Sequence, residues 1–400
     1  MTDDCQNSSK LPCLDGVRVL VLFGGSELFG QERANLEVFR SLRELGLRTR
    51  FITSRKWGQA SIEPELDRLG FEWTTAPFGG HWGKNLAGRF FLNLFLNLYG
   101  VIATSWRVLL EARRWKPTHI YCGNSFHFSF AIPAMWLLRL PFVFRAGDEW
   151  PRHSALHRWI GRVLFARVAF IVCNCEFLRV KLLAGGFNPE KARTIYNYPP
   201  ESGVAEVLDD LPPAEGTVVF YAGQISEQKG VGFLVAAASS LLREGTNLTV
   251  WIAGESIWMK DYARRVRQTV ADSGYGRRIH VLGYRMDVGG LMRRADIHVC
   301  PSIWDEPSPN VVFEAKREGV PSVVFPRGGI PELIEHKSNG FVCRNCTMEA
   351  LVEGIRYYFD NPEARKSNGK SARRSLEEKF GLERFQRQWA EVFLVTTAQR

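Results

Sequence analysis

A short apolar run closed by paired glycines, GVRVLVLFGG at residues 16–25, leads into a stretch with helical spacing. The same unit starts again at residue 216 as GTVVFYAGQ. This restarted alternation constrains the fold more than any other feature. In the first unit Leu36, Phe39, Leu42 and Leu45 recur every third position, and Gly46 ends the helix. LRTRFITS, HIYCGN, PFVFRAGDEWP and AFIVCNC read as further strands. In the second unit the helix GVGFLVAAASSLLREG is followed by the strands LTVWIAGES, RIHVLGY, ADIHVCPS and PSVVFPRGG. Strands alternating with helices predict an α/β chain with doubly wound parallel sheets. Its 400 residues exceed one ordinary domain. The Pro- and acid-rich stretch YNYPPESGVAEVLDDLPPAEG is the natural boundary. The expected domains are therefore 1–200 and 213–380, each Rossmann-like, with ligands at the carboxyl ends of the strands.

The stretch WDEPSPNVVFEAKREG (304–319) follows one of these strands and places Glu306 and Glu314 eight positions apart. Ser308 reads as an N-cap, Pro309 as the first helical residue and Gly319 as the stop. The first amides of that helix, at Asn310 and Val311, sit at the positive end of the helix dipole and form an anion site. Each glutamate is displaced from that point, where it accepts hydrogen bonds from hydroxyls rather than opposing the anion. Hydroxyl binder, phosphate binder, hydroxyl binder is the order of groups in a nucleotide sugar. Taken alone, two such glutamates are also what a solvated amphipathic helix provides. Their position after a strand, and before PSVVFPRGGIPE, favours the ligand.

With YAGQISEQKGVGFL, WIAGES, HVLGY, ADIHVCPSIWDEPSPNVVFEA and RGGIPELI, roughly residues 216–345 resemble the donor domain of glycosyltransferase family 4. That family comprises retaining enzymes of the GT-B fold, in which two Rossmann-like domains face a cleft. FGQERANLEVFRSLRELG resembles the family's first Gly-rich turn and helix, with Gly30, Glu32 and Arg33 aligned. FGLERFQRQWAEVF resembles the closing helix, which implies that 381–400 packs back on the first domain. The resemblance implies that Glu314 holds ribose hydroxyls and Glu306 a donor-sugar hydroxyl. Pro309, Asn310, Val311 and Lys229 would lie at the diphosphate. Gly223 would allow close backbone approach, and Tyr284 and Arg285 would lie near the nucleobase. It further implies transfer with retention, without metal or cofactor, with Asp148, Lys229 and Glu306 as the catalytic set.

Two positions depart from the family pattern. Gln224 stands where an arginine is usual, and Gly147 stands where a histidine commonly precedes the aspartate, here Asp148. Arg145, Glu149, His153 and His127 are the nearest candidates to compensate for the missing imidazole. These departures motivate an alternative, a sugar-nucleotide binding or regulatory protein with impaired catalysis.

Charge bears on the acceptor. Residues 1–200 hold 26 Lys and Arg against 16 Asp and Glu, the whole net charge of +10. A basic half suits a lipid-linked or otherwise anionic acceptor, a glycan bearing phosphate, or an anionic membrane face. No nucleic-acid module accompanies it. In 89–111, Asn93, Asn97, Gly100, Thr104, Arg107 and Glu111 form one polar stripe. Such a helix lies against something rather than spanning a bilayer, either the first sheet or a membrane surface. The start MTDDCQNSSK does not read as a secretory signal. The eight cysteines, including the lone pair Cys343 and Cys346, read as free thiols. A cytoplasmic enzyme of envelope or exopolysaccharide synthesis, peripheral at the inner membrane face, is the expectation.

Overall fold

The structure is a computed structural model. It describes residues 11–24, 30–54, 62–78, 90–148, 161, 165–166, 168–199, 211–256 and 259–398. The chain divides into two compact units, Met1–Tyr196 with Leu382–Arg400, and Asn197–Gly381.

The first unit is built on a seven-stranded parallel sheet in the order β3-β2-β1-β4-β5-β6-β7. Its strands are β1 (Arg18–Phe23), β2 (Arg48–Ser54), β3 (Glu72–Ala76), β4 (His119–Cys122), β5 (Phe142–Ala146), β6 (Val168–Cys173) and β7 (Ala192–Thr194). Helices α1 (Gly30–Arg43), α2 (Glu63–Arg68), α3 (Phe90–Trp115), α4 (Ser125–Ser129), α5 (Ile132–Leu138) and α6 (Glu176–Ala184) lie between them. The continuous apolar runs of β1, β4 and β5 are buried on both faces, as parallel strands covered by helices require. β3 and β7 escaped the sequence reading because each is a sheet edge, and edge strands carry mixed burial and short apolar runs.

The second unit holds a six-stranded parallel sheet in the order β10-β9-β8-β11-β12-β13. These are β8 (Thr217–Ala222), β9 (Leu248–Ala253), β10 (Ile279–Gly283), β11 (Ile297–Cys300), β12 (Ser322–Val324) and β13 (Gly340–Val342). Helices α7 (Val231–Arg243), α8 (Lys260–Asp272), α9 (Val288–Arg294), α10 (Asn310–Glu318), α11 (Met348–Asp360) and α12 (Pro362–Phe380) accompany them. Val219, Val250, Val299 and Val323 of this sheet share one core cluster with Leu234, Leu241 and Leu351 of the covering helices.

The closing helix, α13 (Leu382–Ala398), belongs to the first unit. Trp389 is fully buried beside Tyr121, Phe393 meets His119, and Gln386 Nε2 donates to Ser41 O at 2.8 Å.

In both sheets the strand order reverses once, between β1 and β4 and between β8 and β11. At such a point the flanking crossovers leave in opposite directions and open a crevice at the carboxyl ends. Gly24 and Gly123 mark it in the first unit, Gly223 and Pro301 in the second.

Candidate functional site

The site in the second unit assembles where β8 and β11 end. After β8 a 3-10 turn, Glu227–Lys229, closes on Gly230 at φ +70°. Any Cβ at Gly230 would lie 1.8 Å from Pro301 O, so only glycine lets the two loops meet. They are joined by Gln228 O, which accepts from Ile303 N at 2.9 Å and from Ser302 Oγ at 3.2 Å. This clasp brings the Lys229 ammonium onto the Glu306 carboxylate as a half-buried ion pair. A second loop supports Glu306 from behind. Gly329 N donates to Glu306 O at 2.9 Å, and Gly328, at φ +58°, would place a Cβ 2.4 Å from that oxygen.

Helix α10 starts one residue later than the sequence predicts. Pro309, with φ −69° and ψ 121°, is extended and occupies the cap position itself, and no side chain caps the helix. Ser308 is therefore not the N-cap, and its buried hydroxyl makes no hydrogen bond. The correction follows from proline's backbone: its carbonyl accepts from Val312 N at 3.1 Å, so the helical ladder begins there. The amides of Asn310 and Val311 precede that ladder, at the positive end of the dipole. Glu314 follows one turn on, half-buried, about 6 Å along the axis from Asn310.

Asn197, which the sequence reading passed over, holds this helix start. Nearly buried, its Nδ2 donates to Ser308 O at 3.1 Å and to Asn310 Oδ1 at 2.8 Å. A signal for it existed only as an asparagine at the head of the boundary segment; the 113-residue separation hides the contact.

Gly223 N donates to Ala253 O at 3.0 Å, which ties the end of β8 to β9. Gln224 is half-buried, and its carbonyl accepts from Tyr221 OH at 2.8 Å. Tyr284 is 68% exposed after β10. Arg285, by contrast, is buried and makes a paired contact with Asp287, Nε to Oδ1 at 2.8 Å and Nη2 to Oδ2 at 2.6 Å. Its guanidinium is thus committed to a neighbouring carboxylate. Burial, with Glu306 adding to it, pushes the Cys300 thiol up to about 12, so it stays protonated and is no nucleophile at neutral pH.

In the first unit, Asp148 is exposed just beyond β5. Arg145 at the end of β5 is buried, and its Nη1 donates to Asn35 Oδ1 at 3.2 Å. Burial holds its pKa below the ordinary arginine value, while Tyr121, Asp148 and Glu32 oppose that shift. Gly147 faces Gln31: a Cβ added there would lie 2.9 Å from Gln31 Nε2, which itself donates to Gly123 O at 2.6 Å. The carboxamide of Gln31 therefore stands where a longer side chain at 147 would begin. The His127 ring sits over Gly24 and meets Phe78 edge-on at 5.4 Å. Gly30 opens α1 and is exposed. Glu149 and His153 lie outside the described residues. Among the described residues no three His, Cys, Asp or Glu side chains are grouped to hold a metal ion. Cys343 is buried and its thiol donates to Ala350 O at 3.3 Å.

Comparison with known proteins bears on both units. The family model for Glycosyl transferases group 1 matches residues 209–375, and that for the Glycosyl transferase 4-like domain matches residues 29–198. Each unit thus carries a glycosyl transferase family domain, and the fold is of GT-B type. The spore coat protein SA of Bacillus subtilis is 28% identical over 181 residues, 42% of this chain and 46% of that protein. The glycogen synthase of Mycobacterium tuberculosis is 30% identical over 198 residues, 49% of this chain and 44% of that protein. The chain thus spans less than half the length of these curated relatives. The crystal structure of Anabaena Alr3699/HepE in complex with UDP has a TM-score of 0.76 at 19% identity, covering 95% of this chain and 100% of that one. At that identity the likeness is one of fold: two Rossmann-like parallel-sheet domains of GT-B type.

Proposed function

We propose that this GT-B chain moves a sugar from a nucleoside-diphosphate sugar to an acceptor, with retention of configuration. The observation that carries the reading is the start of α10, where no side chain caps the helix and Lys229 and Glu306 lie paired alongside. In the proposal the donor diphosphate takes the amides of Asn310 and Val311 and draws Lys229 from Glu306. That exchange releases the Glu306 carboxylate to a hydroxyl of the donor sugar, while Glu314 holds the ribose. Gly223 and Gln224 pass beneath the phosphates with Pro309 at their edge, and Tyr284 is the exposed group offered to the nucleobase. Arg285 acts there by shaping the turn through Asp287. Negative charge growing on the leaving diphosphate is stabilised by Lys229 and the helix amides. The acceptor hydroxyl attacks on the same face, with a phosphate oxygen taking its proton. Gly30 and Asp148, in the first domain, keep the roles that the family resemblance implies. No metal or cofactor takes part in this scheme.

The acceptor in this reading is a glycan or a lipid-linked, anionic molecule of envelope or exopolysaccharide synthesis, matched to the basic first half of the chain. That half would sit at the cytoplasmic face of an anionic membrane. No helix among the described residues is long and apolar enough to cross one.

Thermal-shift titration with UDP-, GDP-, ADP- and dTDP-sugars, with and without EDTA, tests the donor site. One donor should stabilise the protein in EDTA, and the anomeric product should retain configuration. A second reading, donor binding without transfer, is favoured by Gln224 and by the Gln31 carboxamide beside Gly147. Stabilisation by a donor that is never consumed, with any acceptor or water, would select it.

A further inference from the structure

Helix α3 is amphipathic in reverse. Its polar stripe faces inward: Asn97, Thr104 and Glu111 are buried. Glu111 lies 3.1 Å from Arg50 of β2 and 3.3 Å from Arg107 of its own helix, an ion-pair group beneath the helix. Ser105 Oγ, donating to Phe130 O at 3.0 Å, fastens the helix further. The outward face is apolar. Phe95, Tyr99, Ile102 and Trp106 recur at steps of four, three and four, and are 54–66% exposed. Helix α5 packs beside α3 and adds exposed Trp136 and Leu137. Exposed apolar surface of this extent on one face marks an interaction site rather than a solvated surface.

We propose that this α3–α5 face is a docking surface for an anionic bilayer, entered by its apolar side chains rather than approached by charge alone. The proposal deepens the membrane association suggested above and rests on it. Charge complementarity identifies the occupant. Arg113 continues the same stripe seven residues after Trp106, and Arg113, Arg114, Lys116 and, at the end of α5, Arg139 are all exposed. Aromatic and aliphatic groups flanked by arginine and lysine suit the boundary between acyl chains and anionic headgroups. A second copy seated on the same face would bring these like charges together, so self-association is the less suited occupant. The inward ion pairs also explain why this helix lies on a membrane instead of spanning it.

The test is co-sedimentation of the full chain, without donor, on phosphatidylcholine vesicles containing 30% phosphatidylglycerol, at low and high salt. Wild type should bind and retain part of its binding at high salt. The variant Phe95→Ser/Ile102→Ser should lose about 100-fold, at about tenfold for each large side chain withdrawn. Arg113→Glu/Arg114→Glu should lose binding mainly at low salt. Trp emission should shift to the blue on binding, less so in Trp106→Phe. Melting curves and donor-induced stabilisation of each variant confirm an intact fold. Binding that vanishes at high salt and ignores Phe95 and Ile102 overturns the apolar surface but leaves the electrostatic association standing. No vesicle binding at all, or a dimer in sedimentation that Ile102→Ser dissolves, overturns both.

Discussion

Replacing Asn197 separates a positioning hydrogen bond from mere packing. Its Nδ2 has two acceptors, Ser308 O at 3.1 Å and Asn310 Oδ1 at 2.8 Å. The amide orientation is fixed chemically, since a backbone carbonyl can only accept. Asn197→Ala removes both bonds and leaves Ser308 O buried without that donor. Two neutral hydrogen bonds at about 1 kcal/mol each predict a loss of about 2 kcal/mol. For a domain of this size that lowers the melting temperature by about 4–8 °C. Asn197→Asp is nearly isosteric, so packing alone would leave it harmless. The hydrogen-bond account predicts the opposite, because a carboxylate oxygen would then face the buried Ser308 carbonyl, which can only accept, and Asp should be worse than Ala. Differential scanning fluorimetry and urea titration measure the ranking. Titration with the donor nucleotide should show both variants binding more weakly, because Asn310 has lost its brace. Asp as stable as wild type, or Ala without effect on both stability and binding, would refute the reasoning.

Three further outcomes are expected. Lys229→Met should weaken nucleoside-diphosphate binding by about 10–100-fold, the loss of one charge-assisted bond, measured by isothermal titration calorimetry; unchanged affinity would remove Lys229 from the site. Gly147→His should not raise donor turnover and should lower stability slightly, because its Cβ would lie 2.9 Å from Gln31 Nε2 and push that carboxamide off Gly123 O, read by melting and donor consumption. Lys316, fully buried on α10 with Nζ donating to Ser375 Oγ at 3.1 Å, has its pKa lowered to about 8 by burial, against 10.5 unfolded. Its penalty is full below pH 8 and is relieved as pH rises from about 8 to 10.5, where the unfolded chain holds the extra proton, so Lys316→Met should flatten the rise in stability that wild type shows across that window.

The fold was legible because buried parallel strands write themselves as continuous apolar runs. β8, β9 and β11 read directly from TVVFYA, LTVWIA and IHVC, whereas three-residue β7 and β13 carry too little pattern to register. Local features of the candidate site were nearly as accessible: a helix after a strand, with Gly319 as its stop at φ +71°, follows from residues in one window. The cap was misplaced by one position because Ser and Pro each suit two adjacent places, and only ψ of Pro309 decides between them. The pairings were not accessible. Lys229 meets Glu306 across 77 residues and Asn197 meets Asn310 across 113, through turns whose geometry no short window contains.

Helix α3 shows the limit most sharply. Periodicity gave the stripe of Asn97, Thr104, Arg107 and Glu111, but periodicity is symmetric: it separates two faces without saying which is inside. The usual assumption buries the apolar one. Here the decision belongs to β2, whose Arg50 supplies a partner for Glu111 and makes the polar face the one that can be buried. A buried carboxylate is tolerated only with such a partner. Removing it should therefore act on the helix before it acts on the sheet. Arg50→Met would leave Glu111 with Arg107 as its remaining ion-pair partner and should loosen α3, seen as faster hydrogen exchange along the helix. Arg50→Met/Glu111→Met, which removes both charges, should restore protection. Were the single and double variants equally unprotected, the ion pair would not be what turns the apolar face of α3 outward.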